Sequence, residues 1–385
     1  MLSKRERVFR TLELDGEPDM IPIFNTGYEP TCSSFQEYYK SNERKQYLTS
    51  VKSPVSKKKY NITMQRFFNS DIHNLDPFGE KLKPHDKVAP SDYPDCYINT
   101  ISGKVEKTVK QVETGLDYLW YIDGHFKTPE ILRSYWDKYG KPSELINERI
   151  NYSPKIWEGF VESLSPYFYP MALLPLSLHE SLFEGMTIPR ALYYMRKNPQ
   201  FIHEVLSEYT KVNVEIIKRF GEAGVGVAFM GDDLGYKGQT IFSLNNLREF
   251  LVPCYKKIYT ACKKNGILVV HHSCGNISGI LHDLIDAGLT AVQSLEPASG
   301  VDLAHLKATL GDRVCFMGGL DASNVLNFGT PKDVEEEVKR CFKAAGYGGG
   351  YFTGPSHDIL NMPWENVLAM RAAIEKYRKY PLNLS

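Results

Sequence analysis

From about residue 224 onward, short apolar runs that end in Gly, Asp or Ser alternate with longer amphipathic stretches. The runs are Gly224–Asp232, Ile267–His272, Ala291–Leu295, Val314–Gly318 and Gly349–Gly354. Continuous apolar strands suit a parallel sheet that is covered on both faces. The stretches between them read as helices. Ile277, Ile280, Leu281, Leu284 and Ile285 form one apolar stripe, and Gly288 is placed to end it. Pro331 opens another helix, with Val334, Val338, Cys341, Phe342 and Ala345 on its inner face.

Upstream, Met20–Phe24 and Pro170–Leu174 read as two more strands, and residues 67–75 as an eighth. Eight strands alternating with helices predict an α/β protein of the (β/α)8 TIM-barrel class, one domain over residues 1–385. An open doubly wound sheet is the competing layout, but no G-x-G-x-x-G opens a helix. Residues 1–18 read as an N-terminal helical extension. The region of about 80–125 breaks the pattern. Tyr97–Ile101 and Lys104–Val109, flanking Ser102-Gly103, predict an inserted β-hairpin.

Charge and cysteine content bound the function. Lys+Arg and Asp+Glu both number 46, so no global field draws the chain to nucleic acid or an anionic membrane. No apolar run approaches the roughly 18 residues of a spanning helix. No apolar core follows the charged start, so a cytoplasmic protein is expected. The 7 cysteines are few and odd in number, which disfavours a disulfide framework. The 24 tyrosines and 19 phenylalanines could line a pocket for a flat ligand or serve only as core.

The most specific local feature is His271-His272-Ser273-Cys274-Gly275, at the C-terminal end of a strand, where barrels place their chemistry. Strand alternation sets His272 and Cys274 on one face and His271 on the other. An imidazole and a thiolate two apart can converge on one zinc ion. A buried cysteine beside a structural histidine is the plain alternative. His357, after the last strand, is the candidate third ligand. Asp232 and Asp233 end another strand and can polarise a substrate, supply a ligand or fix a histidine tautomer; equally, they can make a turn. Asp321 in Gly318-Gly-Leu-Asp321 carries the same ambiguity. Asp71-Ile-His73 lacks the glycine of a corrinoid-binding Asp-x-His-x-x-Gly, since position 76 is Asp, so His73 reads as a loop residue. No P-loop, Cys-x-x-Cys or Gly-x-Ser-x-Gly is present.

Several stretches, in order, resemble the uroporphyrinogen decarboxylase-like superfamily. They are Arg5–Val8 with Glu17–Pro22, Gly231–Gly235, His272–Asn276, Gly318–Asp321, Gly329–Pro331, Pro355–His357 and Pro363–Asn366. The resemblance implies a (β/α)8 barrel. Where true porphyrinogen decarboxylases carry arginines for substrate carboxylates, this chain reads Phe24-Asn-Thr-Gly-Tyr-Glu-Pro30. It is closer to the corrinoid-dependent methyltransferase branch, which holds zinc through His-x-Cys and a later ligand, often Cys. That implies zinc at His272, Cys274 and His357. It also implies a corrinoid supplied by a separate protein, whose cobalt takes the methyl group. Asp233 and His271 are expected to handle protons, and Tyr28, Asp232 and Asp321 to line the substrate site. The implied activity is methyl transfer between a small methylated substrate, such as a methoxylated aromatic, and that corrinoid protein. A methylcorrinoid:thiol (coenzyme M-type) methyltransferase and a decarboxylase are the alternatives. Expected partners are the corrinoid protein and the small molecule, with a homo-oligomer left open.

Overall fold

A computed structural model describes residues 1–25, 27, 32–54, 59–75, 93–99, 101–110, 112, 117–149 and 154–385. Seven strands form one parallel sheet in the order Tyr351–Phe352, Cys315–Gly318, Ala291–Ser294, Leu268–His272, Val227–Gly231, Tyr169–Leu173, Ile72–Leu75. The eighth position is shorter than the sequence predicts. Ile23 bridges Thr353 on one side and Phe24 bridges Ile72 on the other, both parallel, which closes the ring. The arrangement is the expected TIM barrel.

Two apolar layers follow from strand alternation. Phe24, Ile72, Met171, Phe229, Val270, Met317 and Phe352 pack inside the barrel. The opposite faces pack against the helices. The Ser278–Ala287 helix buries Ile280, Leu281, Leu284 and Ile285, and Gly288 ends it in a left-handed conformation at φ 110°. The Pro331–Cys341 helix starts on a Thr330/Asp333 capping box and buries Val334, Val338 and Cys341.

The leading helix, Lys4–Leu12, caps the barrel. Its Val8 and Leu12 join the inner apolar cluster. Its Arg7 pairs with the fully buried Asp71, which also meets Arg378. Asp71 is thus a structural hub. His73 lies on the Ile72–Leu75 strand rather than in a loop, with Nε2 against Gln65. The loop reading failed because the strand is only four residues long and gives little periodicity to read.

The insertion is larger than a hairpin. Cys96–Ile98 and Lys104–Lys110 pair antiparallel around the Ser102-Gly103 turn, and Asp117–Gly124 adds a third strand. That strand exposes Tyr118, Leu119, Trp120, Tyr121 and Ile122, and such a continuous apolar run does not alternate as an outer strand should. The part of the predicted insertion at residues 80–92 lies outside the described residues. Among the described residues, no helix is long and apolar enough to cross a membrane.

Candidate metal centre at the barrel mouth

The strand Leu268–His272 runs into the barrel mouth between Val227–Gly231 and Ala291–Ser294. Parallel register sets His272 beside Gly231 and beside Gln293. Two residues further along, Asp233 and Cys274 are neighbours, and the Cys274 N–H donates to Asp233 Oδ1 at 2.7 Å. Alternation therefore turns 272, 274 and 233 to the same side.

The donor atoms converge. His272 Nε2 lies 3.4 Å from Cys274 Sγ and 3.5 Å from Asp233 Oδ1. Among the described residues, Asp233, His272 and Cys274 are the group of three possible ligands whose donor atoms all lie within 4.8 Å of one another. Zinc bonds of about 2.0–2.3 Å in tetrahedral array separate neighbouring ligand atoms by roughly 3.3–3.8 Å. The donor set fits a zinc ion in type and in spacing, with a fourth position left open.

The surroundings hold this geometry. His272 Nδ1 is hydrogen-bonded to Gln293 Oε1, which leaves the Nε2 lone pair for the other two donors. Glu296 Oε2 accepts from the Gly275 N–H at 2.8 Å and from Ser299 Oγ at 3.0 Å, pinning the loop after Cys274. Burial raises the Cys274 thiol above its ordinary value, and Asp233 and Glu296 raise it further. Glu180 is pushed up to about 8, by burial and then by Asp232 and Asp233. A dication at the donor set would oppose both shifts by stabilising negative charge.

The structure sorts the other expected residues. Asp232 points away from the mouth and is fully buried. Its carboxylate accepts the N–H groups of Leu178, His179 and Glu180 at 2.7, 3.0 and 3.0 Å, and the Tyr255 hydroxyl at 2.6 Å. It caps the His179–Met186 helix instead of lining a substrate site. His271 is fully buried on the same outer side, with Nδ1 2.5 Å from the Tyr259 hydroxyl and Nε2 3.2 Å from the Asp232 carbonyl. Both of its ring nitrogens are thus engaged on the outer side, away from the donor group. Asp321 is spent locally, accepting from the Ser323 and Asn324 N–H groups at 3.0 and 2.8 Å.

His357 is not among the donors that converge within 4.8 Å of one another, and the Asp233 carboxylate stands with His272 and Cys274 instead. The cause is register: Asp233 sits on the strand next to Cys274, whereas His357 comes from a loop two strands beyond Gln293's strand. Tyr28 lies outside the described residues. Sequence reading missed Gln293, Glu296 and Glu180. Gln293 is a polar residue inside the apolar run Ala291–Leu295, which was the available signal.

A cavity of about 320 Å³ lies between the inserted sheet and the segment after Leu173. Leu174, Leu176, Lys104, Glu106 and Glu184 line it, so this cavity is aliphatic and charged rather than aromatic. Lys104 Nζ bridges Glu106 and Glu184 at 3.1 and 2.8 Å, tying the insertion to the helix that Asp232 caps.

Comparison with known proteins agrees with this architecture. Residues 171–377 match the family model described as Uroporphyrinogen decarboxylase (URO-D). The chain is 27% identical over 173 residues to a uroporphyrinogen decarboxylase of Chlorobium phaeovibrioides, covering 43% of this chain and 46% of that protein. It is 27% identical over 182 residues to the Methylcobamide:CoM methyltransferase MtaA of Methanosarcina barkeri, covering 47% and 50%. The matches thus span about half the length of these curated relatives. A solved methyltransferase from Methanosarcina mazei superposes with a TM-score of 0.62 at 14% identity, covering 98% of this chain and 99% of that one, and so shares the fold.

Proposed function

The chain belongs to the uroporphyrinogen decarboxylase (URO-D) family, and from that premise we propose that it is a methyltransferase of the corrinoid-dependent branch. It moves a methyl group between a small methylated substrate, a methoxylated aromatic being the first candidate, and a corrinoid carried by a separate protein. The observation that carries the reading is the convergence of His272, Cys274 and Asp233 at zinc-ligand separations on the mouth of the barrel. The likeness to a Methylcobamide:CoM methyltransferase supports it.

When bound there, zinc supplies Lewis-acid polarisation of the heteroatom that carries the methyl group. The chain's own residues do the remaining work. Gln293 holds the His272 ring so that Nε2 faces the mouth. Asp233 fixes the Cys274 backbone, and Glu296 fixes Gly275. Phe229 lies beside His272, with ring centroids 6.0 Å apart, and gives the site an apolar floor that favours an uncharged substrate body.

Relatives named as decarboxylases make carboxylate chemistry the second reading. Two features weigh against it. The Phe24–Pro30 stretch has no arginine to meet substrate carboxylates. The mouth also gathers Asp233 and Glu296, whose carboxylates repel a polycarboxylate. Metal analysis of protein purified without chelators tests the proposal, paired with a methyl-transfer assay using free methylcobalamin and a thiol, or cob(I)alamin and a methoxyarene. About one zinc per chain and zinc-dependent transfer are expected in the wild type, and both should be lost in Cys274→Ala. Zinc absent from both proteins, with carbon dioxide released from a carboxylated substrate, would establish the decarboxylase instead.

A further inference from the structure

We infer that Gln293 is a positioning residue whose side-chain N–H reads an acceptor atom on the substrate, so that the site takes methyl ethers, thioethers or thiols and not quaternary ammonium compounds. The inference rests on the methyl-transfer reading above and names the substrate class it implies.

Gln293 sits in the Ala291–Ser294 strand and is fully buried. It is in parallel register with His272, so both side chains leave the sheet on the same side. His272 faces the donor group, and Gln293 therefore does too. Its Oε1 is engaged by His272 Nδ1. Its Nε2 is buried and has no hydrogen-bond partner among the described residues. An orphaned amide nitrogen in a packed interior is uncommon, and the barrel mouth is where a ligand would satisfy it.

The orientation of the amide follows from chemistry. If it were reversed, Nε2–H would donate to His272 Nδ1, and the ring proton would move to the histidine's Nε2. That would remove the lone pair that faces Cys274 and Asp233. A ligand role for His272 therefore requires Oε1 toward the ring and leaves the amide N–H groups free.

An N–H on the residue that holds His272, once turned to the mouth, selects for a lone pair. An ether oxygen, a thioether sulfur or a thiolate presents one. A quaternary nitrogen presents none and brings positive charge against the donor. Net charge alone would not exclude such a cation, because Asp233 and Glu296 are acidic neighbours. The discrimination falls to the amide.

Glu and Leu substitutions separate its two roles. Gln293→Glu keeps an acceptor for His272 Nδ1–H but removes the donor. Gln293→Leu removes both. Zinc affinity is read by chelator competition, and binding of 4-methoxyphenol and of phenyltrimethylammonium to zinc-loaded protein by calorimetry. Wild type should prefer the ether. Gln293→Glu should hold zinc at least as tightly as wild type, bind the ether about tenfold more weakly and bind the ammonium more tightly. Gln293→Leu should lose zinc affinity by about 10–100-fold. If Gln293→Glu binds the ether as wild type does, or if zinc-loaded wild type prefers the ammonium, the inference falls while methyl transfer stands. If wild type holds no zinc, both fall together.

Discussion

Replacing Asp232 by Asn should damage the fold and spare the zinc site. The Asp232 carboxylate is fully buried and receives four hydrogen bonds, three of them from the N–H groups of Leu178, His179 and Glu180 at the start of the His179–Met186 helix. An Asn can turn its oxygen toward Leu178, His179 and Tyr255 and keep those three contacts. Its amide nitrogen then faces the Glu180 N–H, donor against donor. One buried donor is left unpaired, at about 1–3 kcal/mol, and the favourable charge at the helix N-terminus is lost, at about 1 kcal/mol. The expected loss is about 3 kcal/mol. Unfolding entropy for 385 residues is about 0.8 kcal/mol/K, so Tm should fall by about 4 °C. Differential scanning calorimetry measures this, and metal analysis of the same sample should find zinc unchanged. A variant with unaltered Tm but impaired substrate binding would refute the capping role and restore Asp232 to the substrate site.

Three further outcomes follow from the same geometry. Asp233→Asn should weaken zinc binding by about tenfold or more in chelator competition, whereas His357→Ala should leave it unchanged; the reverse order would return His357 to the ligand set. Zinc affinity of the metal-free protein should rise by about tenfold per pH unit between pH 6 and 8. Burial, Asp233 and Glu296 hold the Cys274 thiol above its ordinary value, so binding must release its proton, and a flat profile would argue against a thiolate ligand. Gly354→Ala should be the most disruptive single methyl addition near the site. The added Cβ would stand 1.8 Å from the Phe24 carbonyl oxygen, and the closing bridge of the barrel would have to part. The soluble yield and Tm of this variant should both drop sharply, and a wild-type Tm would show that the closure is loose.

Much of the barrel was legible because its signal is local. Ile280, Leu281, Leu284 and Ile285 carry the helical period by themselves, and a capping threonine or a terminal glycine marks each end. The third inserted strand was not legible. Asp117–Gly124 is apolar on both faces yet largely exposed, and burial is what alternation encodes. The first barrel strand shrank to two bridging residues because its pairing depends on Thr353 and Ile72, both distant in the chain.

The same division runs through the site. His272 and Cys274 were assigned to one face and His271 to the other from the two-residue period of a strand, which the chain fixes locally. Which carboxylate joins them depends on the register between the 227–231 and 268–272 strands, and that is set by packing of the whole sheet. Register turned Asp233 inward and Asp232 outward. It also placed Gln293 beside His272 and left His357 outside the donor group. Sequence alone determined the barrel class and two of the three candidate metal donors, because periodicity is written residue by residue. Only the tertiary structure brought in the third candidate donor and the amide that orients His272, because both come from neighbouring strands that meet only once the barrel is folded.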